Sequence, residues 1–180
     1  MRTFTLHFLC LLSTSVLGAE TCVFCEIVAG TRQAEGVVYR DDTVVAFLSI
    51  GARNPGHTLV VPAAHAENFL TVPPATFHHM TDVARKIIAA IKGTDLKMEG
   101  FQLHMSNGRP AGQSVFHAHL HLIPRFTGDA PTPPGATEPP ARGLTGQAET
   151  QTPPRREGDP FPMEVLAPVA AKIRAALADN

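Results

Sequence analysis

Histidine is concentrated in one short segment, 113–124, in which His117, His119 and His121 alternate with small or apolar residues. Because successive side chains of a strand point to opposite faces, this alternation predicts a strand with three imidazoles on one face. The other face would be apolar, with Phe116, Ala118, Leu120 and Leu122. Histidine is a common metal ligand and also titrates near neutral pH. The segment alone therefore leaves a metal site, a histidine nucleophile and a solvated surface open.

The loop before this segment, 107–114, offers glycine amides together with the carboxamide of Gln113 and the hydroxyl of Ser114. Backbone N–H groups and neutral donors can hold a phosphate or a developing oxyanion without strong positive charge. The formal net charge of the chain is -1, which gives no global attraction for nucleic acid or for an anionic membrane. These features favour a small phosphoryl ligand and no specific nucleic-acid partner.

Two cysteines near the N-terminus, Cys22 and Cys25, form a Cys-x-x-Cys pair. In a reducing compartment such a pair binds zinc, and in an oxidising one it can close a disulfide. Residues 4–19 are apolar, follow Arg2 and end in small residues, which is typical of a secretory signal cleaved after Ala19. The alternative is an N-terminal helical extension. The first alternative predicts export and the second a cytoplasmic protein, and we expect no stable membrane span.

The elements that must position these residues can be predicted from hydrophobic periodicity and turn residues. The pattern predicts short strands and one long amphipathic helix, which together indicate an α+β fold with a five-stranded antiparallel sheet. The predicted elements are a helix at 22–29, strands at 37–40, 43–48, 57–61 and 100–106, the long helix at 73–93 and the histidine strand.

The chain is predicted to contain one domain, 20–127, preceded by the possible signal or extension at 1–19. The segment 128–160 is rich in proline and is expected to be flexible. A C-terminal helix is predicted at 161–180, where the apolar stripe would dock on the body or on a partner subunit. Its members are Val165, Leu166, Val169, Ile173 and Leu177.

Three motifs, in this order and spacing, resemble those of the histidine triad (HIT) family. They are Cys-Val-Phe-Cys-Glu-Ile-Val-Ala-Gly at 22–30, Pro-Gly-His-Thr-Leu-Val-Val-Pro at 55–62, and the run 107–125 that contains Gly-Gln-Ser followed by His-x-His-x-His. The resemblance implies the HIT fold and nucleotide chemistry at an α-phosphorus. It further implies that His119 is the nucleophile and forms a nucleotidyl-histidine intermediate.

The resemblance also implies the supporting residues. His57 and His117 would orient the nucleophile, His121 would donate to a phosphate oxygen, and Gln113 and Ser114 would contact phosphate and leaving-group oxygens. A structural zinc would bind to Cys22, Cys25, His65 and His117, and no organic cofactor is implied. Candidate substrate-binding residues are the apolar Phe24, Ile27, Leu48 and Ile50, together with Ser49, Asn107 and Gly112. Ser49 stands where the family usually has an acidic residue that takes the ribose hydroxyls.

The favoured function is hydrolysis of nucleoside phosphoramidates or related conjugates of a purine nucleoside monophosphate. His121 favours hydrolysis, because the uridylyltransferase branch of the family usually has glutamine there. The alternatives are hydrolysis of dinucleoside polyphosphates, a nucleotide-binding regulatory protein with incidental turnover, and a metalloenzyme that uses the three histidines as ligands. Family resemblance implies a homodimer that joins two sheets. His78, His79 and His104 receive no predicted role.

Overall fold

The computed structural model describes residues 22–32, 36–52, 54–127 and 163–179. Within these ranges, five strands form one antiparallel sheet in the order β1-β2-β3-β5-β4. The strands are β1 (Val37–Arg40), β2 (Val44–Leu48), β3 (Thr58–Pro62), β4 (Gly100–His104) and β5 (Leu120–Arg125), and the α-helices are α1 (Val23–Ala29), α2 (Pro74–Lys92) and α3 (Met163–Ala178). This confirms the predicted α+β class, whereas segments 1–19 and 128–160 lie outside the described residues.

Two of the three inner strands, β2 and β3, are buried along their whole length, because each face of the sheet is covered by a helix. Successive side chains of these strands point to opposite faces of the sheet. Val44, Ala46 and Val60 belong to the core that α2 and α3 cover, whereas Phe47 and Leu59 pack with α1. No helix among the described residues is long and apolar enough to cross a membrane.

The histidine segment is not the predicted single strand. β5 begins only at Leu120, so His117 and His119 precede the strand and only His121 belongs to it. The ladder with β3 stops at the pair Val60–Leu120. Beyond it, Pro62 has no N–H to donate, and its carbonyl accepts a hydrogen bond from the His117 ring instead. Both histidines are buried, so the alternative of a solvated surface does not hold for them.

The C-terminal helix α3 docks on the body of its own chain, against α2 and β1. Leu166, Ala170 and Ile173 are buried there, and the Lys172 ammonium donates to the Asp95 carboxylate over 2.8 Å. Val165 belongs to the predicted buried stripe but is 41% exposed, because the helix presents Ala170 to the core instead. The docking therefore uses a narrower stripe than the sequence pattern indicates.

Shortening a buried α3 side chain should reveal how strongly this helix is held. Ile173 is fully buried, so Ile173→Ala is expected to lower the free energy of unfolding by about 2–4 kcal/mol through lost packing and a residual cavity. Val165→Ala is the matched control on the exposed side and should change it by less than about 0.5 kcal/mol. Urea unfolding of both variants gives the comparison, and equal effects would contradict this docking.

Asp41 anchors the turn between β1 and β2 and connects it to α2. One carboxylate oxygen accepts from the backbone amides of Thr43 and Val44, each over 2.8 Å. The other accepts from the Tyr39 hydroxyl over 2.7 Å and from His79 Nε2 over 2.6 Å. Burial alone would raise the pKa of Asp41, but these hydrogen bonds outweigh it and hold the pKa well below its ordinary value.

This carboxylate should make stability depend on pH in the acidic range. The folded-state pKa of Asp41 lies below the unfolded value of about 3.9, so the unfolded chain takes up the proton first as the pH falls. Asp41→Asn is expected to lose about 1–3 kcal/mol of unfolding free energy at pH 7. The difference in unfolding free energy between Asp41→Asn and wild type should become smaller below about pH 4. Urea unfolding at pH 7 and pH 3.5 measures it, and a constant difference would contradict this role.

Candidate active site and metal cluster

Four residues from three parts of the chain converge to a cluster with the ligand set of a zinc site. They are Cys22 and Cys25 at the start of α1, His65 after β3, and His117 before β5, and their ligand atoms all lie within 4.8 Å of one another. Sulfur and nitrogen are 3.5 Å apart for Cys22–His117, 3.3 Å for Cys25–His65 and 3.5 Å for Cys25–His117. Tetrahedral zinc requires an S–N separation of about 3.6 Å. The residues therefore fit a zinc ion.

The hydrogen bonding of His117 selects the nitrogen that would bind the metal. Its ring is fully buried and its Nε2 donates to the carbonyl of Pro62 over 2.9 Å, which leaves Nδ1 with a lone pair facing the two sulfurs. The cysteines are free thiols, so the disulfide alternative is not the state of this structure. Burial, a hydrogen bond with Cys22 and Coulombic repulsion from Cys22 together raise the pKa of Cys25 to about 11.

His119 lies two residues further along and has the geometry of an oriented nucleophile. It is buried, and its Nδ1 donates to the carbonyl of His117 over 2.6 Å. This bond fixes the tautomer, so that Nε2 carries the lone pair. Burial lowers the pKa of His119, and the bond to the carbonyl opposes that shift only in part. The ring is thereby favoured in its neutral form, the form in which imidazole attacks.

A chain of imidazole contacts continues from His119 to His121, His57 and His104. The ring of His121 lies edge-on to His119 with centroids 4.8 Å apart, and its Nδ1 is 3.0 Å from Nε2 of His57. His104, for which the sequence predicts no role, stacks on His121 at 4.6 Å. The signal that could have located it is strand pairing, because His104 and His121 are direct partners between β4 and β5.

The side chain of Gln113 stabilises the loop that precedes the histidines through three hydrogen bonds to backbone groups. Its side chain is buried; its Nε2 donates to the carbonyls of Glu67 (2.6 Å) and Val115 (3.1 Å), and its Oε1 accepts from the amide of Gly108 (2.7 Å). Gly108 and Gly112 have φ values of 82° and 86°, which favour glycine. The predicted phosphate contact of Gln113 would have to compete with these bonds, whereas the neighbouring Ser114 is exposed.

The other two loop candidates, Asn107 and Gly112, are both exposed. The Oδ1 of Asn107 accepts from the backbone amide of Phe69 over 2.7 Å, which ties the loop to the segment after β3. A cleft of about 480 Å³ lies beside the loop and the metal cluster. It is lined by Cys22, Val23, His65, Glu67, Ser114, Val115 and Phe116. Its lining includes Ser114 and two residues of the metal cluster but not His119.

The apolar residues predicted to line a substrate slot do not all lie on one face of the sheet. Phe24 and Ile27 of α1 face the sheet, and the Phe24 ring lies 5.3 Å from Phe47 and 5.2 Å from His119. Leu48, a predicted member of this group, lies in the core on the opposite face of the sheet, because successive strand residues alternate. Phe47, which was not among the predicted residues, packs against Phe24 on the other face.

The last two substrate-binding candidates lie just after β2. The Ser49 amide donates to the carbonyl of His57 over 2.9 Å, which keeps this position next to the histidine chain. Ile50 is 61% exposed and contributes little to the core. Ser49 is therefore close to the predicted site in the fold, and Ile50 is open to solvent.

This combination of fold, metal cluster and oriented histidine defines the superfamily of nucleotide-binding hydrolases and transferases. The HIT domain matches residues 31–128, more than half of the 180-residue chain. The protein belongs to the HIT family. This confirms the resemblance carried by the three sequence motifs.

Relatives and solved structures agree with this match. An uncharacterised HIT-like protein from Methanocaldococcus jannaschii is 44% identical over 108 residues, which cover 60% of this chain and 81% of the relative. An adenylylsulfatase from Arabidopsis thaliana is 35% identical over 105 residues, covering 58% of this chain and 52% of the relative. The crystal structure of a zinc-bound histidine triad protein from Mycobacterium smegmatis aligns with a TM-score of 0.67 and 30% identity, covering 90% of this chain and 96% of that one.

The metalloenzyme alternative, in which the three histidines of the motif are all ligands, finds no support in the geometry. Within the described residues, the metal-ligand cluster contains only one histidine of that motif, His117. Its other members are His65 and two cysteines. His119 instead hydrogen-bonds to a backbone carbonyl. The cluster is closed by four protein ligands, which is typical of structural zinc.

Proposed function

We propose that this protein hydrolyses nucleoside phosphoramidates or related nucleotide conjugates at the α-phosphorus, with His119 as the nucleophile. The observation that carries the proposal is the 2.6 Å hydrogen bond from His119 Nδ1 to the carbonyl of His117. It assigns the lone pair to Nε2 and fixes the direction of the ring. A buried imidazole held in this way is suited to attack on phosphorus.

The proposed reaction has two displacements at phosphorus. Nε2 of His119 attacks, a P–N bond forms to the enzyme, and the bond to the leaving group breaks; the leaving group keeps the electron pair and takes up a proton from solvent. Water then attacks the nucleotidyl-histidine and gives up a proton to solvent, the enzyme P–N bond breaks with its electron pair returning to Nε2, and a nucleoside monophosphate is released. Splitting the substitution lowers the barrier of each step. Neutral donors from His121, Ser114 and the glycine loop would stabilise the phosphoryl oxygens.

Zinc has no step in this reaction. When bound, it would supply a rigid tetrahedral junction between α1 and the segment that carries the histidines. Phe24 lies on α1 between the cluster and His119, so the junction would also hold one wall of the apolar slot. Its contribution to turnover would therefore be indirect.

The leaving group distinguishes the candidate substrates. The name of the Arabidopsis relative specifies an adenylyl conjugate with sulfate, which supports adenylyl conjugates as the substrate class of this protein. Diadenosine polyphosphates share the adenylyl half and are the second candidate. A panel of adenosine phosphoramidate, adenosine phosphosulfate and diadenosine tetraphosphate, compared by kcat/KM, would rank them.

Intact native mass spectrometry tests the nucleophile directly. Protein is mixed briefly with adenosine phosphoramidate without acid, comparing wild type, His119→Ala and the matched control His78→Ala, which removes an exposed histidine on α2. An adenylyl adduct on wild type and His78→Ala alone is the expected result. Product formed equally by His119→Ala would overturn the assignment. AMP binding without product from any variant would favour a regulatory nucleotide-binding protein.

We also propose a homodimer in which the two sheets join at β4. This edge strand exposes two apolar side chains, Phe101 at 51% and Leu103 at 44%. An exposed apolar edge is typical of a pairing surface.

A charge on this edge should prevent association. Phe101→Lys is expected to convert a dimer into a monomer, because a pair of buried ammonium groups across a two-fold axis would be costly. Sedimentation velocity measures the mass, and Leu70→Lys, on an 89% exposed residue that is not part of β4, is the control. A monomeric wild type would contradict the proposed dimer.

A further inference from the structure

The edge strand places a fourth imidazole against the proposed site. His104, the last residue of β4, is the direct partner of His121 in β5. Side chains of such cross-strand pairs lie on the same face of the sheet at contact distance. The two rings are parallel to within 9° and their centroids are 4.6 Å apart. The stack is therefore set by the register of the sheet and not by a loop.

The orientation of His121 depends on more than its hydrogen bond. The 3.0 Å contact between His121 Nδ1 and His57 Nε2 fixes where that nitrogen points. The same contact restricts rotation of the ring about its Cβ–Cγ bond, an outer torsion that has broad minima in histidine. A parallel ring at stacking distance opposes this rotation, since turning the plane of His121 would break the face-to-face contact.

We propose that His104 is a positioning residue that holds the plane of the His121 ring beside His119. The inference rests on the proposed function, in which His121 donates to a phosphoryl oxygen. A donor contributes to the reaction only when it is aimed at the developing charge before the reaction begins. His104 would supply this preorganisation through its ring face, without contacting the substrate.

The neighbouring residue pair separates this role from simple strand stability. Gln102 pairs with Ile123 on the same face of the same two strands, one step further from the histidines. If His104 acted only by supporting the β4–β5 edge, trimming Gln102 would have a similar effect. His104 is exposed in the single chain, so its removal takes little from the core, and Gln102 on the same proposed dimer edge controls for any effect on association.

Three variants test the proposal: His104→Ala removes the stack, His104→Phe keeps a stacking ring without ring nitrogens, and Gln102→Ala is the control. With adenosine phosphoramidate, His104→Ala is expected to lower kcat about three- to ten-fold, the range set by one aromatic pair, with little change in KM. His104→Phe and Gln102→Ala should stay within about two-fold of wild type. An unchanged His104→Ala, or a His104→Phe or Gln102→Ala as impaired as His104→Ala, would overturn the proposal.

Imidazole NMR gives a readout that does not need turnover. In ¹³C,¹⁵N-labelled full-length protein, the ring current of His104 should shift the Cε1–H signal of His121. The shift should disappear in His104→Ala and persist in His104→Phe. If wild type turns over no nucleotide conjugate, the proposed function fails, and these spectra still decide the positioning role: a His121 signal that is the same in wild type and His104→Ala would overturn it.

Discussion

Replacing His119 with alanine is expected to reduce the turnover of adenosine phosphoramidate at least about 10³-fold, the scale of effect seen when a nucleophile is removed. The physical reason is that no other imidazole nitrogen among the described residues has the same placement. His117 points Nδ1 at the cysteines and Nε2 at a carbonyl, and His121 is hydrogen-bonded to His57. AMP affinity, measured by calorimetry, should change only a few-fold, because the apolar slot and the glycine loop are kept.

Chemical rescue gives a second test of His119 as the nucleophile. His119→Gly leaves a hole in which free imidazole can bind and attack, so added imidazole should restore part of the lost turnover. His78→Ala removes the same number of histidines and should behave as wild type, since it alters an exposed α2 residue. A His119→Ala protein with wild-type kcat would mean that another group attacks phosphorus, and the proposed mechanism would fail.

Replacing Cys25 with serine is expected to remove zinc and to destabilise the fold more than Asp41→Asn does. Wild type should carry one zinc per chain, measured by native mass spectrometry or elemental analysis. Because metal binding is coupled to folding, losing one thiolate should lower Tm by about 10 °C or more. The sulfur–nitrogen distances of 3.3 Å to His65 and 3.5 Å to His117 show that the ligands already lie together, so the ion would bind with little rearrangement.

In protein that retains residues 1–19, Cys10→Ser is the matched control, because it removes the third cysteine and keeps all four proposed ligands. It should leave zinc content and Tm unchanged. The same experiment separates structural from catalytic zinc: at a temperature where the Cys25→Ser protein is folded, turnover should fall far less than in His119→Ala. A folded, zinc-free protein with no turnover would instead favour a metal in the reaction. A wild type without zinc would contradict the cluster as a metal site.

Most of the fold could be predicted because its signals are local. The apolar spacing of α2 predicted 73–93, and the helix spans Pro74–Lys92. The hairpin around Asp41 and the short α1, which ends at a left-handed Gly30, also agree closely with the prediction. These elements depend on periodicity and on turn residues, which a single sequence displays.

The histidine segment shows where a local signal fails. Alternation of apolar and polar residues predicted a strand through His117 and His119, yet β5 starts at Leu120. Tertiary contacts override the local pattern here. The partner strand β3 ends at Pro62, and the His117 ring hydrogen-bonds to the Pro62 carbonyl and contacts the cysteine sulfur. Side-chain hydrogen bonds to a distant segment outweighed strand propensity, and no window of the sequence contains both partners.

By itself, the sequence determined the family, the α+β class and the chemically capable residues, because these follow from residue types at fixed spacings. It did not determine which residues share a face or touch across the sheet. Phe47 rather than Leu48 lies with Phe24, and His104 stacks on His121, because strand register brings together positions distant in the chain. The residue types were visible in the sequence, but their pairing was not, because it depends on contacts between segments that are distant in the chain and folded against one another.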